Sequence, residues 1–256
     1  MAFEKVNILG SNISVENRQE VIDAMRSLVV RSEKTYICVS NVHTVVMGKQ
    51  DSSYQAITNG AGLATADGMP LVWVSKFLGR AIHDRASGPD IMTDFFQQDV
   101  KGEYKHFLFG STVEVLKNLE TEIRNRWPQT KIVGVFSPPF APPSAELDGA
   151  HAQIINESGA QIVWVGLGAP KQEQWMARLR GQLNANVLIG VGAAFDFISG
   201  NKPRAPIWMQ KCGLEWLHRL CSEPRRLFSR YFVTNTYFLW NVGLQIARQS
   251  YLGRPK

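Results

Sequence analysis

The chain has 256 residues, of which 45% are apolar and 20% charged, with a net charge of +6. That length allows one large domain, or one domain with a small appendage, and the composition excludes a disordered protein. The three cysteines, Cys38, Cys212 and Cys221, are odd in number and lie in no metal-ligand spacing, so they read as reduced thiols of a cytosolic protein.

In chain order, strands are predicted at Val6–Leu9, Tyr36–Val39, Leu63–Ala66, His106–Phe109, Ile132–Phe136, Ile162–Val165 and Val187–Ile189. Amphipathic stretches lie between them, such as Val21, Met25 and Leu28, or Val113, Leu116, Leu119 and Ile123, at helical spacing. The opening segment, Met1 to Gly10, lacks the basic start and apolar core of a signal peptide. Strands alternating with helices predict an α/β fold with a largely parallel sheet covered on both faces. Ligands of such sheets bind beyond the strands' carboxyl ends. The loops to inspect are therefore Ser40–His43, Asp67–Pro70, Gly166–Glu173 and Gly192–Arg204. Ser137–Ser144 is too rich in proline for anything but a loop.

After Pro206 helices follow one another without strands: one over Ile207–Cys221, a break at Ser222-Glu223-Pro224, then another. The chain thus divides into an α/β core, 1–200, and a helical appendage, 201–256. Residues 202–256 hold ten Lys or Arg against Glu215 and Glu223, a balance of +8, so the basic character belongs to the appendage. The uncharged run Tyr231–Ala247 is 17 residues long and interrupted by polar side chains. A spanning helix needs about 20 mostly apolar residues, so this run is not read as one.

Gly166-Leu167-Gly168-Ala169-Pro170-Lys171 joins a strand to a helix, where backbone N–H groups can face a phosphate. It lacks the third glycine of a dinucleotide fingerprint and the ending of a Walker loop, which disfavours a nicotinamide dehydrogenase. A tight connection is the equal alternative. Gly190-Val191-Gly192 is a weaker signal of the same kind. Asp67, just beyond a strand and before Gly68, is placed either as a general base or as a helix N-cap, and local sequence favours the cap. The sequence contains no Asp-x-Asp pair and no ligand cluster with metal spacing. An enzyme that expels a nucleoside diphosphate must then neutralise it with fixed cations. Arg219, Arg226 and Arg230 would share one face of a continuous helix. Aromatic residues interleave with these arginines, a mixture that fits an anionic membrane surface, a core-facing helix pair or nucleic-acid binding alike.

In order along the chain stand Val39-Ser40-Asn41-Val42-His43, Ala66-Asp67-Gly68, Arg85-Ala86-Ser87-Gly88-Pro89-Asp90, and Gly166 through Glu173. Gly192-Ala193-Ala194-Phe195-Asp196, Arg204-Ala205-Pro206, and Gly213-Leu214-Glu215-Trp216 through Arg230-Tyr231 follow. Together these blocks resemble the WecG/TagA/CpsF family of bacterial glycosyltransferases. The resemblance implies a Rossmann-like three-layer fold with a C-terminal helical appendage. It implies an inverting transferase without metal or cofactor, moving N-acetylmannosamine, its uronic acid or glucose. The donor would be a UDP-sugar and the acceptor a polyprenyl-diphosphate-linked sugar, in synthesis of a bacterial cell-surface polysaccharide. Asp67 would be the base and Asn41 would stand near the reacting sugars. Donor contacts would come from Gly166, Gly168, Lys171, Gln172, Glu173, Gly192, Phe195 and Asp196, with Arg219, Arg226 and Arg230 closing over the diphosphate. Arg85, Gly88 and Asp90 would form an acceptor or structural loop. The protein would sit peripherally on the cytoplasmic face of the membrane, through its anionic surface, and would bind no nucleic acid; self-association into a homo-oligomer is left open. The different-class alternative is a non-catalytic binder of nucleotide sugars or nucleic acid with a basic tail.

Overall fold

A computed structural model describes residues 3–252, apart from the side chains of Lys211, Arg226, Ser229, Arg230, Ser250 and Leu252. The chain opens with β1 (Lys5–Ile8) and β2 (Ser11–Ser14), then α1 (Arg18–Val30), β3 (Thr35–Ser40), α2 (Val42–Gln50), α3 (Ser52–Asn59) and β4 (Leu63–Ala66). Next come α4 (Met69–Phe77), α5 (Gly88–Gln98), β5 (Lys105–Gly110), α6 (Val113–Arg126), β6 (Lys131–Phe136) and α7 (Ala145–Ser158). Last are β7 (Ile162–Gly166), α8 (Lys171–Leu179), β8 (Val187–Gly190), α9 (Ala194–Ile198), α10 (Ile207–Lys211), α11 (Glu215–Ser222) and α12 (Pro224–Leu252).

Six strands form one parallel sheet in the order β4-β3-β8-β7-β5-β6. Its central strands are apolar runs with both faces buried, such as Ile162 to Val165, which is what covering by helices on both sides demands. Side chains of α2, α4, α7 and α8 pack on one face, as do β1, β2 and part of α12. Those of α1, α5, α6 and α9 pack on the other. This is a Rossmann-like three-layer fold.

The predicted strands all form, with one difference in partnership. Val6–Leu9 was expected beside the others, but β1 pairs antiparallel with β2 in a separate hairpin. Positive φ at Leu9 (53°) and Gly10 (93°) reverses the chain before it can cross over. The predicted helix over Ile207–Cys221 is two helices. Gly213 adopts φ 71°, and an added Cβ there would lie 2.8 Å from Met69, so the chain turns against α4 between α10 and α11.

Helix α12 is 29 residues long. Phe238 and Val242 bury against the α2 side of the core. Gln245 binds the first hairpin: its Oε1 accepts from the Leu9 amide at 2.9 Å and its Nε2 donates to the Asn7 carbonyl at 2.8 Å. Among the described residues no helix is long and apolar enough to cross a membrane.

Candidate active site

The strand register decides which residues meet. Ser40 of β3 pairs with Ala66 of β4, Cys38 of β3 with Gly190 of β8, and Gly190 with Val165 of β7. Asn41, Asp67 and Val191, which follow β3, β4 and β8, and Gly166, which ends β7, therefore stand side by side at one end of the sheet. Beyond them the chain diverges. Helix α8, after β7, buries Trp175, Met176 and Leu179 on one face, whereas α9, after β8, buries Phe195 and Ile198 on the other. Such a switch point opens a crevice.

Two cavities fill it. The first, of about 340 Å³, is walled by Asn41, Gly166, Gly168, Gly192, Asp196 and Lys202, among others. The second, of about 430 Å³, lies between α4, α11 and α12 and is largely apolar, with Met69, Trp73, Phe77, Trp216, Phe238 and Leu239 on its walls. Asn41, His43, Asp67, Glu215 and Arg219 belong to both.

Asp67 is not a helix cap. Gly68 occupies the N-cap of α4 and no side chain caps that helix. The carboxyl group instead sits at the junction of the cavities, where burial, reinforced by the Glu215 charge, pushes its pKa up to about 6 against the opposing pull of Arg85 and Arg219. At pH 7 most molecules carry the carboxylate, with a basicity near the working pH. Asn41 does cap: its Oδ1 accepts from the Thr44 amide at 3.2 Å and fixes the start of α2. Its carboxamide nitrogen is the end left for a ligand.

The appendage closes over this crevice through charge. Arg85 donates to Glu215 at 2.8 Å, to Gln210 at 3.0 Å and to Asp90 at 3.3 Å. Arg204 donates to Asp90 at 2.7 Å and lies 3.6 Å from Glu215. Burial would raise the Asp90 pKa, but the Arg204 hydrogen bond and charge, the Ser87 hydroxyl and Arg85 together hold it below the usual value. Held this way, α11 presents Arg219 to both cavities, its guanidinium 5.8 Å from the Phe197 ring centre.

The expected site residues divide accordingly. Asp67, Asn41, Gly166, Gly168, Gln172, Gly192, Asp196 and Arg219 converge on the polar cavity. Lys171 is exposed and points away, its ammonium 4.1 Å from the Phe140 ring centre. Glu173 and Phe195 are each 1% exposed and lie beneath the loops. Arg85 and Asp90 form the ion-pair cluster, and at Gly88 an added Cβ would lie 2.6 Å from the Val191 carbonyl oxygen, so this loop packs against the sheet end. The side chains of Arg226 and Arg230 lie outside the described residues. The amides of Gly168 and Gly192, expected to face a phosphate, both donate to Gln172 Oε1 at 3.2 Å.

Sequence reasoning missed His43, Lys202 and Glu215 as cavity residues. His43 and Glu215 stood in the matching blocks, and Lys202 in the basic run before Arg204, yet only tertiary structure brings them to the crevice. Lys202 is bridged to Glu223 at 2.8 Å. Among the described residues no three His, Cys, Asp or Glu side chains cluster as a metal site would.

A polar cavity at a switch point, set with cations beside a carboxylate of raised pKa, has the layout of an enzyme's active site. More narrowly, the protein is a glycosyltransferase: the chain belongs to the glycosyl transferase WecG/TagA/CpsF family, whose profile matches residues 6–251. It is 28% identical over 219 residues to the N-acetylglucosaminyldiphosphoundecaprenol N-acetyl-beta-D-mannosaminyltransferase of Bacillus spizizenii, covering 82% of this chain and 83% of that relative.

The electrostatics of Asp67 can be read directly. Carboxyl-carbon NMR is expected to show it titrating at about 6. Glu215→Gln removes a negative charge and should move the midpoint down. A parent midpoint near about 3.9, the ordinary aspartate value, would mean that solvent reaches the group freely.

Proposed function

We propose that the protein moves a sugar from a UDP-sugar to the hydroxyl of a polyprenyl-diphosphate-linked sugar, with inversion at the transferred carbon and without a metal ion. The observation that carries this reading is the meeting of a polar and an apolar cavity at Asp67, the carboxylate that follows β4 and has its pKa raised. Two substrates of opposite character need such a pair of chambers: a nucleotide sugar in the first, and the sugar diphosphate end of a prenyl lipid in the second. The name of the Bacillus spizizenii relative supports an N-acetylmannosamine-type donor and an N-acetylglucosamine-bearing lipid acceptor, in assembly of a cell-surface polysaccharide.

In this mechanism Asp67 takes the proton of the acceptor hydroxyl. The oxygen attacks the anomeric carbon from the side facing the apolar cavity, and the bond to the diphosphate breaks on the opposite side. Arg219 and Lys202, on the polar cavity wall, neutralise the departing UDP. Arg226 and Arg230 are assigned the same task from α12, and the Asn41 carboxamide holds the reacting sugars. The appendage performs a second job at the membrane. Phe77 and Leu239, on the apolar cavity wall, are 70% and 69% exposed, and Phe232 and Trp240 are exposed farther along α12. The lipid chain can thus pass from a bilayer into the cavity without crossing water, while basic residues of the appendage attract anionic headgroups, each contributing about 1 kcal/mol.

Asp67→Asn is expected to reduce turnover by about 10²–10⁴ while UDP binding by calorimetry is kept. Turnover at the parent rate would remove Asp67 from the chemistry. The parent rate should persist after EDTA treatment, and a loss restored by magnesium or manganese would transfer the role of Arg219 and Lys202 to a metal. The protein should also sediment with phosphatidylglycerol vesicles at low salt and detach as salt rises. Combined Phe77→Ser, Leu239→Ser and Trp240→Ser changes should weaken that binding; a parent that stays in the supernatant would refute membrane docking.

A further inference from the structure

Gln172 clasps the crevice. Its Oε1 accepts from the amides of Gly168, in the β7–α8 loop, and Gly192, in the β8–α9 loop, at 3.2 Å each. These are the loops whose helices depart to opposite faces of the sheet, so one carboxamide joins the two lips of the switch point and sets the width of the polar cavity between them. Gln172 is itself 3% exposed. Room for it exists because residue 190 is glycine: a Cβ there would lie 2.8 Å from Gln172 Nε2.

A carboxamide has two ends, and with Oε1 taken by the loops Nε2 must find an acceptor in a place without solvent. The acceptor is the neighbouring Glu173, whose Oε1 lies 2.8 Å from Gln172 Nε2. Glu173 lines neither of the two cavities, and among the described residues its Oε2 has no donor at bonding geometry, although the Tyr54 hydroxyl is near enough to act on the carboxyl group. Burying a carboxyl group this way is costly, and a leucine or methionine would fill the space more cheaply.

We infer that Glu173 is a positioning residue of the donor site, anchoring Gln172 so that its oxygen holds the two donor loops at a fixed separation. Burial raises the Glu173 pKa, yet either protonation state serves, because a proton placed on Oε2 leaves Oε1 free to accept. Loss of the anchor strands Nε2, the carboxamide leaves its seat, and both loop amides lose their acceptor. The inference rests on the reading of the polar cavity as the donor site, but the clasp itself can be observed without any donor.

Glu173→Met and Glu173→Gln separate anchoring from mere filling of space. The methionine variant should still be folded, since methionine fills the space of the glutamate without leaving a void. Its Gly168 and Gly192 amides should exchange with deuterium about tenfold faster or more, and its donor KM should rise about tenfold with kcat little changed. The glutamine variant, which again offers an oxygen to Nε2, should return both readouts toward the parent. A methionine variant with protected loop amides and parental KM would overturn the inference, as would a glutamine variant no better than the methionine one. If the parent binds no UDP, the donor reading falls, and amide exchange in the two variants still decides whether Glu173 anchors the clasp.

Discussion

Two arginines and two carboxylates, shared between the core and the appendage, hold the carboxyl end of the sheet and the helices over it together. Arg85 and Arg204 both reach Asp90, at the first turn of α5, and Glu215, at the first turn of α11. None of the four side chains is more than 22% exposed. Such clusters add little net stability over apolar packing, but removing one member strands a charge at about 3–5 kcal/mol. What the cluster supplies is register. Helix α11, which buries no residue in the core, is fixed across the sheet end by charge, and Arg219 is thereby set opposite Asp67. Glu215 also acts on Asp67 through space, keeping the aspartate's affinity for protons high.

The six parallel strands were legible because each is an apolar run between turn signals, and their boundaries agree with the structure to within a residue or so. The hairpin was half legible. Ser11–Ser14 has the polar composition of a loop, and becomes a strand because Ile13 and Ser14 bury against the neighbouring elements. At the site, Asp67 and Asn41 could be found because strand ends are local features. The local odds nevertheless favoured a cap for Asp67, whereas the structure leaves the N-cap of α4 to Gly68 with no side-chain cap. Lys202 and Glu215 could not be placed by spacing, since their relation to Asp67 depends on how the appendage folds back. The motif Gly166–Glu173 was recognisable as a loop serving the crevice, but not the division of labour inside it. Of its three adjacent side chains, Lys171 faces solvent, Gln172 joins the loops, and Glu173 lies buried under them.

The two cavities differ in lining because different layers build them. The polar one is built from the strand ends, the loops after them and the first turns of the helices that follow, with Glu215 and Arg219 added by α11. The apolar one needs bulky side chains at helical spacing. It draws them from α4, with Trp73 and Phe77 one turn apart, and from α12, with Phe238 and Leu239. Neither cavity is therefore made by the sheet and its loops alone, for the helices after Pro206 supply walls to both.

Gln245 and the first hairpin meet across 236 residues of sequence. A chain made from its N-terminus at about 5–20 residues per second exposes β1 and β2 for some tens of seconds before Gln245 has been synthesised. During that interval the six strands and their helices can already assemble, while the flank that Phe238 and Val242 will cover stays bare. Until the helices after Pro206 are made, the sheet lacks both the α11 side chains over its strand ends and the aromatic helix that covers this flank.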